Sequence, residues 1–311
     1  MKLAILRDRA DMLAKARRFF SDLCVLEVDV PLLCQGASID AHIDLIPAEP
    51  CDGKRRYLHS SPEYGIKRLL AAGMGDCYQL AHVFRDEECG ERHNPEFMMA
   101  EWYRLNISFE TMIRETVDFV KLFIGDHPYK TITYREAYKQ YAGVDYVHAS
   151  NEELLKAVKA TGTIPYKSLL TDGKNDLLNM LMIFAIEPAL KKEGLCVLSH
   201  YPAGQAALAR KIRIGDEEAA ERFEVYYRGL ELANGYHELS DAKEQRIRFV
   251  ESNQERTRLG KEQLPIDEPF LKALDKLPEC CGVAVGFDRL MMLRSNSTHI
   301  NDVIPFGWAT A

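Results

Sequence analysis

The stretch FRDEECGERHNPEFMMAEWYR, residues 84–104, constrains this chain more than any other, because it sets a dense group of ionisable side chains between two segments with strand periodicity. The run before it, YQLAHVFR at 78–85, alternates apolar and polar positions and ends on a charge. After it, EFMMAEWYR places Met98, Ala100 and Trp102 on one face and Phe97, Met99, Glu101 and Tyr103 on the other. A hairpin is predicted, with Arg85, Asp86, Glu87, Glu88, Glu91, Arg92, His93 and Asn94 at its tip. Guanidinium groups there suit phosphates and carboxylates suit amines, although a plain solvated loop has the same composition. Glu101 and Tyr103 tilt the choice toward a site, since they interrupt an apolar strand face. A carboxylate buried there needs a cationic partner, which a ligand's ammonium supplies.

Composition removes several classes of function. With 311 residues, 47% of them hydrophobic, the chain can bury a substantial core. The net charge of −7 gives no basic footprint, so autonomous nucleic-acid binding is not expected, whatever the local patch Lys54 to Arg56 does. Eight scattered cysteines form no CxxC pair, which predicts reduced thiols and a cytoplasmic location. Nine histidines form neither HxH nor HExxH, which argues against a transition-metal site. The longest apolar run, LLNMLMIFAIEPAL at 177–190, is too short for a bilayer and contains Glu187 and Pro188. It predicts a core helix, and no membrane association is expected.

Along the chain, residues 7–23 carry Ala10, Met12, Leu13, Ala16, Phe19, Phe20 and Leu23 at helical spacing, with Asp8, Arg9, Lys15, Arg17 and Arg18 largely on the opposite side. VLEVDVP at 25–31 then reads as an edge strand stopped by Pro31. In YLHSSPEYGIKRLLAAG, 57–73, Ser61 suits an N-cap, Pro62 the first helical position and Gly73 the position past the end. Glu63 then sits beside exposed helix amides, where an amine and a carboxylate can be held together. Residues 105–127 and 151–194 read mostly as helices, with a short strand at Thr131 to Tyr134 between them, and VLSHYPAGQAALAR at 197–210 as a strand running into a loop. RFEVYYRGLELANGYHELSDAKEQ, 222–245, is a strand bent at Gly229 and at Asn234-Gly235. Glu231 and Glu238, seven apart, would share a face only with one bulged residue, expected at Asn234-Gly235. Two such carboxylates suit Mg2+, or are simply a solvated pair. In CGVAVGFDRLMML, 281–293, a short strand feeds a helix, so that Gly286 permits close backbone approach and Arg289 lies in the first turns.

Residues 84–104 resemble motif 2 of the class II aminoacyl-tRNA synthetases, and R-H-N-P-E-F followed by M-x-E-x-Y is similar to the lysyl-tRNA synthetase branch. Residues 7–31 resemble motif 1, which implies a homodimer, and 281–293 resemble motif 3. S-P-E at 61–63, Y-P-A at 201–203, E-x-x-N-G-x-x-E at 231–238 and the ending INDVIPFG at 300–307 fit the same family, while Gln205, Ala206 and Ala207 depart from its V-S-P. The resemblance covers about residues 7 to 307. It implies an α+β fold, the class II synthetase catalytic core with a mostly antiparallel sheet flanked by helices. It further implies a single domain over 1–311, with a mostly helical segment at about 145–195, and no anticodon-binding domain is expected.

The same resemblance implies residue roles. Arg85 would hold the amino-acid carboxylate and the α-phosphate of ATP, and Arg289 the γ-phosphate; both are the expected catalytic residues. Glu87, His93, Asn94, Phe97, Glu231, Leu232 and Gly286 would complete the ATP site, with Glu87 accepting from the adenine amine and Phe97 stacking on the ring. Ser61, Glu63, Glu101, Tyr103, Asn234, Glu238 and Ala284 would bind the substrate, and Glu231 and Glu238 would hold Mg2+. Within the group, the core-only pattern, Glu88 and Gly90 in the motif 2 loop, M-x-E-W-Y-R, and Ala284 where the tRNA enzymes carry glycine resemble the elongation factor P lysine ligase family. Asp86, in place of the usual Asn, departs from both groups. The expected activity is ATP-dependent activation of lysine or (R)-β-lysine as an acyl-adenylate, followed by transfer to a lysine of elongation factor P. A minimal tRNA-charging enzyme and a non-catalytic amino-acid sensor are the alternatives.

Overall fold

The computed structural model describes residues 2–36, 38–164 and 173–311. The chain forms two compact units, Met1–Asp126 with Glu238–Ala311, and His127–His237.

The first unit is ordered α1 (Lys2–Asp22), β1 (Leu26–Glu27), α2 (Glu63–Ala71), β2 (Cys77–Phe84), β3 (Glu96–Leu105), α3 (Phe109–Ile124), α4 (Ala242–Arg258), α5 (Glu268–Leu274), β4 (Cys280–Gly286) and α6 (Phe287–Ser295). Its sheet runs β1, β2, β3, β4; β1 lies parallel to β2, and the other neighbours are antiparallel. The predicted hairpin is thus β2 and β3, and its two faces separate as the alternation requires. Trp102 points into an aromatic layer with Phe20 of α1 and Phe119 of α3, and Phe20 stacks on Tyr78 with ring centres 4.0 Å apart. Burying each of these rings contributes about 1.5–3 kcal/mol. The other face carries Ala81, Val83 and Met99, and beyond them the polar residues of the site. The edge strand 25–31 is shorter in the structure than its alternation predicts. Val28 still donates to the Tyr78 carbonyl at 2.8 Å, but the Val30 amide turns to the side chain of Gln79 instead of to backbone.

One residue of α1 is not where its helical position places it. Arg9, expected on the solvent side, is buried; its guanidinium pairs with Asp288 and lies over the Phe287 ring, 5.1 Å from the centre. The second oxygen of Asp288 accepts from the Met98 amide at 2.8 Å. One carboxylate therefore ties α1, β3 and the start of α6 together. Asp288→Ala should cost about 3–5 kcal/mol, because it strands a buried guanidinium. Denaturant unfolding of that variant measures the loss, and a loss under about 1 kcal/mol would show the pair to be dispensable.

In the second unit, strand Leu195–Pro202 lies parallel to Tyr129–Thr133 and antiparallel to Glu217–Tyr227, which pairs in turn with Leu230–His237 and with Lys211–Ile214. The expected core helix is present as Lys174–Leu181, a π turn Met182–Ile186 and Glu187–Glu193, burying Leu177, Leu178, Leu181, Ile186 and Leu190. Helix Asn151–Ala160 begins in a capping box at Ser150, and residues 165–172 of the predicted helical stretch lie outside the described residues. The bulge predicted at Asn234-Gly235 lies elsewhere. Asn234 and Gly235 pair regularly with Glu224 and Phe223, whereas Glu231 faces Tyr226 and Ala233 faces Val225, so Leu232 is the extra residue. The tight turn at Arg228-Gly229, both at positive φ, fixes the register at that end, and the surplus residue is absorbed close to it.

All eight cysteines are free thiols. Among the described residues no helix is long and apolar enough to cross a membrane.

Candidate active site

The residues expected to hold an amino acid meet in the first unit. Glu63 opens α2, and its amide donates to the Ser61 hydroxyl at 3.0 Å, so Ser61 caps the helix one residue earlier than a strict N-cap. The same hydroxyl donates to one oxygen of Glu101 at 2.7 Å, and the Tyr103 hydroxyl donates to the other at 2.8 Å. Between them stands a residue that the periodicity left unremarked: the Lys67 ammonium lies 2.6 Å from Glu63 and 2.6 Å from Glu238. Glu238 is fixed by its own backbone, whose amide donates to the Cys280 carbonyl of β4 at 3.0 Å. Glu63, Lys67, Glu101, Tyr103 and Glu238 are all buried.

β4 forms the floor of this cluster. Gly282 pairs with Tyr103 and Ala284 with Glu101 in the β3/β4 register. A methyl group on Gly282 would stand 2.2 Å from the Tyr103 ring and 2.4 Å from the Glu238 carboxylate, so only glycine leaves the site its shape. Ala284, half-buried, stands directly opposite Glu101 in that register.

Burial, with the Glu63 charge beside it, raises the Glu101 carboxyl to about 8, and burial raises Glu238 to about 8 against the pull of Lys67. Burial disfavours the Lys67 ammonium, but Glu238 and Glu63 hold its pKa above the ordinary value. A carboxyl whose folded pKa lies above its unfolded one stabilises the fold fully below about pH 4.5, and that contribution is lost as pH rises through the folded value. Melting temperature should therefore fall between about pH 5 and pH 8.5, and a bound diammonium ligand should reverse the fall. Thermal melts across that range with and without (R)-β-lysine check this; a melting temperature that climbs steadily with pH would contradict it.

The tip of the β2/β3 hairpin carries the residues expected at the nucleotide. Arg85 is half-buried, its guanidinium 5.1 Å from the centre of the Phe97 ring and 3.6 Å from Glu88. Arg289, in the first turn of α6, donates to His93 Nε2 at 2.8 Å. Burial and the Arg289 charge both lower the pKa of His93, which keeps its ring neutral and able to accept. Glu87 is exposed and adopts φ 63°. Gly286 lies at the foot of the Arg289 side chain, where a methyl group would meet ordinary contacts from 3.5 Å. Asn94 departs from its expected role. Its amide donates to the Glu96 carbonyl at 2.6 Å and its oxygen accepts from the Trp308 amide at 2.9 Å, so the side chain clamps the loop to the C-terminal segment instead of facing a ligand.

Glu231 and Glu238, expected to share Mg2+, have different surroundings. Glu238 is already neutralised by Lys67 in a buried pair, where a divalent ion gains little, and it does not fit as a metal ligand. Glu231 is half-buried in the second unit, opposite Tyr226 in the strand register. The Tyr226 hydroxyl donates to Glu224 at 2.5 Å, and burial followed by the charges of Glu224 and Glu231 raises its pKa well above the ordinary value. Glu224 is already paired with Arg222 at 2.6 Å, whereas Glu231 on the adjacent strand offers a hard oxygen donor of the kind that suits Mg2+. Glu224 was passed over in sequence because it reads as an ordinary polar position of an alternating strand. Leu232, the bulged residue, is buried, and Asn234 is half-buried on the same strand. Lys67 and Gly282 were also passed over. Spacing of four from Glu63 on a predicted helix, and glycine within a predicted strand, were the available signals.

The model of the class II tRNA synthetases (D, K and N) matches residues 2–310. The chain belongs to that family, and with its α+β fold it is an ATP-dependent ligase of the class II synthetase type. Among its curated relatives, a protein of Edwardsiella ictaluri is 42% identical over 98% of this chain and 95% of its own length. Others from Haemophilus influenzae and Salmonella gallinarum are 41% and 42% identical, each covering 96% of this chain and 93% of the relative. All three bear the name elongation factor P–(R)-β-lysine ligase.

Proposed function

We propose that this chain activates (R)-β-lysine with ATP as an acyl-adenylate and passes the acyl group to a lysine of elongation factor P, in keeping with the names of its relatives, which give a ligase of elongation factor P and (R)-β-lysine. The observation that carries this reading is the buried cluster of Glu63, Glu101, Tyr103 and Glu238, an acidic pocket built for ammonium groups. Glu63 at the start of α2 takes the amine nearer the reacting carboxylate, and Glu101 with Tyr103 and Glu238 takes the distal ammonium. Arg85 neutralises the substrate carboxylate and the α-phosphate as they approach, and Arg289, steadied by His93, grips the γ-phosphate. Glu87 accepts from the adenine amine, and Phe97 stacks on the ring. Mg2+, held from Glu231, would neutralise phosphate charge. Because such a pocket leaves buried carboxylates unpaired when an ammonium is missing, it should reject a substrate lacking one by roughly 10⁴-fold.

The same proposal places the enzyme in the cytoplasm and pairs two copies through α1 and β1, on which Leu3 and Leu26 stand exposed; light scattering of the purified chain tests the pairing. The test of function is the mass of purified elongation factor P after incubation with the chain, ATP and (R)-β-lysine. One added β-lysyl group per molecule is expected. Unmodified factor, together with aminoacylation of bulk tRNA in a parallel assay, would replace this reading by tRNA charging.

A further inference from the structure

Lys67 has no part in the chemistry described so far, yet it is among the most deeply buried charged groups of the chain, 1% exposed. Its ammonium touches Glu63 on its own helix and Glu238 from the segment before α4, both at 2.6 Å. From β3, Glu101 and Tyr103 face the same space, and from β4, Cys280. Burial keeps the Tyr103 hydroxyl and the Cys280 thiol far above their ordinary pKa values, so neither adds charge. The charge count is then simple. Three carboxyl groups share one resident ammonium; in the empty site Glu101 and Glu238 relieve the excess by holding protons up to about pH 8, and a lysine-type diamino acid brings the two ammonium groups that can replace those protons.

We propose that Lys67 is a positioning residue that sets this balance: it holds Glu63 and Glu238 at a fixed separation and neutralises one carboxylate, so that two carboxyl groups remain for the two ammonium groups of a substrate. The inference rests on the amino-acid activation proposed above. Without the resident ammonium, the carboxyl groups would bind protons more tightly still, and an incoming substrate would have to displace more of them. Lys67 thus lessens that competition near neutral pH.

The experiment is calorimetric titration of (R)-β-lysine into the wild-type chain and into the Lys67→Met and Lys67→Arg variants from pH 6.5 to 9, in buffers of different ionisation enthalpy so that released protons are counted. For Lys67→Met, affinity at pH 7 should fall roughly 10- to 100-fold, the gap should narrow toward pH 9, and more protons should leave per ligand bound. Lys67→Arg, which keeps the charge, should retain the wild-type pH profile with a smaller loss. Unchanged affinity in Lys67→Met, or a loss independent of pH as a merely structural role would give, would overturn the inference. Should Lys67→Met fail to fold, Lys67→Arg decides alone, since a shifted pH profile there is equally fatal. A wild-type chain that binds no diamino acid refutes the functional reading itself; wild-type binding that Lys67→Met reproduces refutes only the role of Lys67.

Discussion

Replacing Arg289 by alanine should lower adenylate formation by about three orders of magnitude and leave the fold intact. The guanidinium is half-buried in the first turn of α6 and hydrogen-bonded to the exposed His93, so its loss should cost under about 1 kcal/mol of stability. Its value lies in a preorganised charge, supplied where negative charge must be gathered and then released as pyrophosphate. ATP–pyrophosphate exchange, read beside a thermal melt, separates the two effects. Near-normal exchange in Arg289→Ala would remove the arginine from the reaction, and a collapsed melting temperature would make it a structural residue.

Glu101→Gln is expected to lower kcat/KM for the amino acid by about 10²- to 10³-fold, mostly through KM. Both carboxylate oxygens already have donors, Ser61 at 2.7 Å and Tyr103 at 2.8 Å, which orient the group but cannot neutralise a full charge. A substrate ammonium can. Glutamine keeps the shape, but its amide nitrogen would meet one of those donors and its neutral oxygen would hold an ammonium weakly. KM for ATP should stay within about threefold of wild type, since Glu101 faces the amino-acid pocket. An unchanged amino-acid KM would place the substrate elsewhere.

Much of this arrangement was legible in the residues. Alternation in 96–104 separated Trp102, which goes to the helical layer, from Glu101 and Tyr103, which go to the site, because a strand admits only two faces. The start of α2 and the strand-to-helix step at Gly286 were nearly as plain, since Ser61 and Pro62 favour a helix start and Gly286 stands where the apolar alternation of a strand gives way to helical spacing. What escaped reading depended on partners distant in sequence. Arg9 looked like a solvent residue because its helical position is polar on one side, and nothing nearby announces Asp288, 279 residues on, as its counter-charge. Glu238 looked like a metal ligand because a motif pairs it with Glu231, whereas its actual neighbour, Lys67, lies on α2. Asn94 looked like a ligand contact because it follows His93, but both ends of its amide are engaged by backbone. The bulge was placed two residues late at its nearer edge, at Asn234 instead of Leu232, because turn geometry sets register and composition marks only where glycine would tolerate a bend.

The most direct measurement is ATP–pyrophosphate exchange with (R)-β-lysine and L-α-lysine side by side, in the absence of any acceptor protein. Strong exchange with a marked preference for (R)-β-lysine is expected, in keeping with Ala284 set opposite Glu101. A preference for L-α-lysine would return the chain to tRNA charging, and no exchange with either would contradict the account at its centre.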